Sequence, residues 1–195
     1  MPPPYWQYFV AIEDDLIKAA RFVEFTASNR TTHSVEFARI LLAASSEVDV
    51  AAKDLCRRID PSSGADKIHM YRSVITGKFR LLPFTRIQIP RYDISLVPWL
   101  SWREDKTPNW WDSHNAVKHH RDQAFREANL ENSLNATAAL MVLLLHLYEL
   151  IYGSGVDLQP PPQLLFPDEF QRSYDMQVVK SYWRLPHYVS ESNWE

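Results

Sequence analysis

Glycine is scarce in this chain, with four in 195 residues. Tight β-hairpin turns draw heavily on glycine, so the composition argues against an all-β sandwich or barrel. Cysteine is scarcer. The single Cys56 excludes an internal disulfide and a multi-cysteine zinc site, and it fits a reducing cytoplasm. Excess positive charge is also missing. A net charge of −3 and a pI near 6.2 leave no global footprint for nucleic acid, so any RNA contact must come from a local patch. The opening Met1-Pro2-Pro3-Pro4-Tyr5 lacks the basic start and apolar core of a signal peptide. The most apolar run, Ala136 to Leu147, is shorter than a bilayer span requires. No membrane partner is expected, and the protein is expected to be soluble and cytoplasmic. No internal repeat, P-loop, GxGxxG, GxSxG or HExxH motif occurs, and no cofactor is expected.

What is present is helical periodicity. A hydrophobic content of 46% supports a core, and the length suits one domain. Residues 5–29 carry Phe9, Ile12, Leu16, Ala19 and Val23 at steps of three and four. The acidic triplet Glu13-Asp14-Asp15 reads as a solvated face of that helix. Residues 33–59 hold the strongest pattern: Phe37, Leu41, Ala44, Val48, Ala51 and Leu55, capped by Thr32 or Ser34. The two helices read as an antiparallel hairpin. Cys56 beside that seam reads as a small buried hydrophobe. A shorter helix is expected at 65–77, stopping near Gly77, with His69 packed or solvated. Residues 130–152 are apolar nearly all round, which belongs at the bundle's centre, with His146 as a satisfied core residue.

Between these lies a different stretch. Pro83, Pro90 and Pro98 forbid a continuous helix at 80–106, and the alternation in 85–89 and 93–97 suggests a short β-hairpin or an ordered loop. Trp99 and Trp102 read as plugs over the bundle's end. The expected fold is therefore all-α: an up-and-down helical bundle over 1–152 with an irregular or short β-hairpin insertion near 80–106. Residues 153–195 follow as a Pro160-Pro161-Pro162 spacer and an aromatic segment that packs on the bundle, with a short helix at 169–182.

The chemistry concentrates in 107–121. Thr107 or Asn109 is expected to cap a helix running from about Trp110 to Glu127. Trp110, Val117 and Ala124 share its inner face, so Asn115 and His119 are expected to point outward. Three readings compete for His114, Asn115, Lys118, His119, His120 and Arg121. They form a solvated face, or they bind metal, or Lys118 and Arg121 hold a phosphate while His119 moves protons. The spacing of His114 and His119 is not the i, i+4 pair that converges on zinc, and no further ligand stands nearby, so metal is the weakest reading. The third suits RNA cleavage, in which a 2′-OH loses a proton and a charged phosphorane is stabilised.

His114-Asn115-Ala116-Val117-Lys118-His119, opening a late helix of a long-helix bundle, resembles the motif of the HEPN superfamily. That pattern is an Arg, a polar residue, a few residues, then a His. Asn115 and His119 match, and His114 stands at the Arg position. The resemblance implies a homodimer with facing motifs, acting on or binding RNA, often in defence or toxin systems. It assigns His119, Asn115 and His114 as catalytic and Lys118, His120 and Arg121 as substrate-binding, in a metal-independent endoribonuclease or a catalytically reduced relative. The alternative is a non-enzymatic protein-interaction module that uses the aromatic segments at 80–106 and 163–195.

Overall fold

In a computed structural model, residues 4–153 and 156–168 are described, together with the backbone of 171–175 and 180–184. The architecture is mainly helical with a small β insertion. α1 spans Trp6–Ala19, α2 Val35–Ile59, α3 Ile68–Lys78, α4 Asn109–His119, α5 Arg121–Ala124 and α6 Leu130–Tyr152. α1 ends ten residues short of the expected Asn29. Beyond Ala20 the chain turns so that Phe25 is buried against Tyr92, 5.0 Å between ring centres. α3 ends at Lys78, beside the expected stop near Gly77, and starts three residues later than the expected 65.

α1 and α2 are antiparallel. Tyr5 before α1 reaches Asp54 late in α2, and Asp15 late in α1 pairs with Arg39 early in α2 at 2.7 Å. The seam of α2 is buried throughout, from Phe37 to Leu55. Ser34 caps α2 by accepting the Phe37 N–H at 3.0 Å. The most extensive helix pairing sets α2 along α6. Between Leu130 and Tyr148 every residue of α6 except Glu131 and Asn135 is buried. By length and composition α6 could cross a bilayer, although its most apolar run looks too short in the sequence. Its most apolar window is 78% buried, as a bundle's central helix must be.

The insertion is a hairpin of β1, Ile87–Ile89, and β2, Ile94–Leu96, with Ile87 opposite Leu96. A third strand, β3 at Phe166–Pro167, joins the other edge of β1 from far along the chain. Trp99 is fully buried, its indole N–H donating to the Ala139 carbonyl of α6 at 3.2 Å. Trp102 and Trp110 pack on it at 4.1 and 5.2 Å between ring centres.

Two sequence expectations fail here. Glu13 is not solvated. It is 1% exposed and accepts the backbone N–H groups of Gln163, Leu164 and Leu165 at 2.9–3.0 Å. Asp14 is exposed, as expected. The segment 156–168 is thus strapped over α1, with Trp6 Nε1 donating to the Pro160 carbonyl and Leu158, Leu164 and Leu165 buried. The expected helix at 169–182 is replaced by an antiparallel pair, β4 Gln171–Asp175 and β5 Lys180–Arg184. Docking of the aromatic residues beyond Phe166 lies outside the described side chains.

A candidate polar cleft between α2 and α4

α4 starts differently from the expectation. Pro108 is the N-cap, with extended backbone and a carbonyl that takes the Trp111 and Asp112 N–H groups. Neither Thr107 nor Asn109 caps by side chain; Asn109 is the first helical residue. Pro108 is held because Trp110 Nε1 donates to the Pro98 carbonyl at 2.9 Å, tying the helix start to the insertion.

The helix also stops early. His120 leaves helical geometry at φ −138°, ψ 45°, closing α4 and opening α5 with the same residue. The expected single helix to Glu127 is therefore broken. The break lets Ala128 bury and accept the Ser34 N–H, and lets Phe125 meet His33 edge-on at 5.6 Å. These contacts fix the start of α6 against the start of α2.

α4 packs against both α2 and α6, so its inward arc is wider than Trp110 and Val117 alone define. Trp111 and His114 are also buried, and Asn115 is half-buried, against the expectation that this cluster faces outward. Lys118, His119, His120 and Arg121 are exposed, His119 as expected.

Between α2 and α4 lies a cleft of about 450 Å³. From α4 it takes Trp111, His114, Asn115 and Lys118; from α2 it takes Ser45, Asp49 and Lys53, with Asp66 from the loop before α3. His119, His120 and Arg121 are not in its lining. The six candidate residues are thus split, three in the cleft and three outside it. The sequence reading did not select Ser45, Asp49 or Lys53. Ser45 was legible as a hydroxyl flanking an apolar seam; Asp49 and Lys53 looked like ordinary surface charge.

The cleft floor holds two unsatisfied buried groups. His114 is 7% exposed and its Nδ1 has no hydrogen-bond partner; Ser45 is fully buried and its Oγ has none. Such atoms cost about 1–3 kcal/mol each while they stay unpaired. Asp49 is fully engaged, accepting from Tyr71 Oη at 2.7 Å and from Lys53 Nζ at 2.6 Å. Lys118 has no ion-pair partner among the described residues and stands as the uncommitted cation of the cleft. Among the described residues no group of His, Cys, Asp and Glu is placed to hold a metal ion.

Burial, then the charges of Lys118 and His119, lower the His114 pKa to about 4. Burial alone brings the core His146 to about 4 as well, its Nδ1 lying 2.8 Å from the Val142 carbonyl. Cys56 is buried and its thiol is pushed up to about 11 by burial, so it is inert, as expected. Both imidazoles are neutral at pH 7. Their stability contribution is full above the unfolded value of 6.5 and declines as pH falls from there through about 4. Two protons taken up on unfolding give a limiting slope of about 2.7 kcal/mol per pH unit. Urea titrations at pH 7 and pH 5 should show a marked loss at pH 5. His114→Gln should reduce that loss by roughly half; an unchanged loss would place His114 in a polar, hydrated setting. No family model, no curated protein and no solved structure matches this chain.

Proposed function

We propose that this protein is a HEPN-like RNA-binding protein that engages RNA through the α2–α4 cleft, with its ribonuclease chemistry reduced. The observation that carries the reading is the cleft itself. It gathers His114, Asn115 and Lys118 from one short motif and leaves His114 Nδ1 unpaired beside an uncommitted lysine. A neutral imidazole and a carboxamide can hydrogen-bond a base edge or a 2′-OH, and Lys118 can meet a phosphate. Reduced chemistry is supported by two facts. His114 is neutral at pH 7 and has no imidazolium proton to give to a leaving group, and a base with a pKa of about 4 is weak. His119, the expected proton carrier, does not line the cleft with Asn115. A homodimer pairing two α4 helices is the arrangement that would return His119 to a shared cleft.

The test is fluorescence anisotropy with a labelled single-stranded RNA across a salt series, beside a cleavage gel and sedimentation of the same samples. Lys118→Ala should weaken binding and lower the slope of log affinity against log salt by about 0.7, one phosphate contact on a single strand. RNA should stay intact. Binding that ignores Lys118→Ala removes the cleft as the site. Cleavage abolished by His119→Ala restores a full ribonuclease.

A further inference from the structure

The opposite side of α4 carries a second concavity, and unlike the first, where Lys53 and Lys118 balance Asp49 and Asp66, its charged lining is all acidic. At helical spacing, Asn109, Asp112 and Ser113 lie across the helix from Trp111, His114, Asn115 and Lys118. Two adjoining hollows, of about 320 and about 340 Å³, share Asn109, Glu131 and Asn132. No lysine, arginine or histidine lines either one. Three carboxylates do: Asp112, Glu127 and Glu131.

The neutral groups add acceptors. Asn132 and Asn135 spend their amide nitrogens on the Glu127 and Glu131 carbonyls at 2.9 Å, which leaves their Oδ1 atoms for the groove they line. Asp112 has no ion-pair partner among the described residues, and burial holds its carboxyl above the usual range. Glu131 meets a cation only at 3.9 Å, Arg30, with both side chains half exposed, a contact worth little. The other wall is apolar: Val97, Pro98 and Leu100, the last 46% exposed.

We propose that this groove is a docking surface for an extended, basic peptide segment of a partner protein, its lysine or arginine heads meeting Asp112, Glu127 and Glu131 while their stems lie along Val97 and Leu100. Charge complementarity selects this occupant. An acceptor-lined, cation-free groove repels phosphate and carboxylate and rewards ammonium and guanidinium donors. Long basic side chains also cover apolar wall with their methylenes. The carboxylates do not form a metal-binding group among the described residues. The two flanks of α4 then take ligands of opposite charge.

The test uses the full chain and fluorescence anisotropy with a labelled ten-residue peptide of alternating Arg and Ala, against the same peptide with Glu for Arg. The basic peptide should bind and the acidic one should not. Asp112→Asn with Glu131→Gln should weaken binding by tenfold or more, about 1.4 kcal/mol per tenfold. Asp14→Asn, a charge removed from exposed α1, should change it less than twofold. Circular dichroism checks that each variant keeps its helix content. Absence of binding by the basic peptide, or equal weakening by Asp14→Asn, overturns the proposal, since the second outcome means a general attraction to an acidic protein.

Discussion

Glu13→Ala should lower the unfolding free energy by about 3–5 kcal/mol, the range for stranding buried polar groups. The reason is the strap. One carboxylate with 1% exposure takes the N–H groups of Gln163, Leu164 and Leu165, which have no other acceptor among the described residues. Each donor left dry costs about 1–3 kcal/mol, and water entering the site recovers part of the total. Glu13→Gln should fall between, because one amide oxygen remains while the NH₂ faces donors. Burial outweighs the three amides and leaves the Glu13 carboxyl above its ordinary value. The folded chain therefore holds that proton more tightly than the unfolded one. This contribution to stability declines as pH rises from the usual glutamate range through the raised value, and Glu13→Gln should flatten it. Urea unfolding followed by circular dichroism reads both effects. A loss below 1 kcal/mol for the alanine variant would mean that the strap contributes little to the bundle.

Trp99→Ala is expected to cost about as much, roughly 3–5 kcal/mol. The indole is fully buried where the insertion meets α6, donates to Ala139, and backs both Trp102 and Trp110. Trp99→Phe should cost less, about 1 kcal/mol of it from the lost hydrogen bond. The alanine cavity also removes the support behind Trp110, whose N–H ties the start of α4 to Pro98. RNA binding at the α2–α4 cleft should therefore weaken in Trp99→Ala more than in Trp99→Phe. Equal RNA affinity in wild type and both variants would show that the orientation of α4 does not depend on this stack.

The bundle was legible because its helices bury repeating stripes. Phe37 to Leu55 and Leu130 to Tyr148 announce themselves by period alone, and Ser34 and Asn129 cap as their chemistry allows. Trp99 and Trp102 are buried, as plugs must be, but Trp99 meets the middle of α6 at Ala139 rather than the bundle's end. Long-range pairing was not legible. Glu13 stands at i+4 from Phe9 and i−3 from Leu16, on the edge of the buried face, and Asp14 does not, but the partners that make burial of a carboxylate tolerable are amides 150 residues away. β3 is two residues long and contains a proline, so no alternation marks it. The site was half legible. His114, Asn115 and Lys118 were named from their crowding, but the inward turn of His114 and Asn115 was missed because α4 has two packed neighbours. The break at His120 escaped because Phe125 and Ala128 are pulled inward by α2, which periodicity along one helix cannot register.

The strap also sets a timetable for synthesis. A ribosome releases Glu13 long before Gln163, Leu164 and Leu165, which follow it by 150 to 152 residues. Until they emerge, α1 carries a carboxylate that has to stay hydrated, so its inner face cannot close over the nascent bundle. α2 and α6 can find each other earlier through apolar burial alone. Completion waits on one long loop closure, whose cost grows only as the logarithm of its length but falls entirely on the final step. Slowing translation should thus leave the first helix, rather than the α2–α6 pair, open to chaperones and proteases for longest.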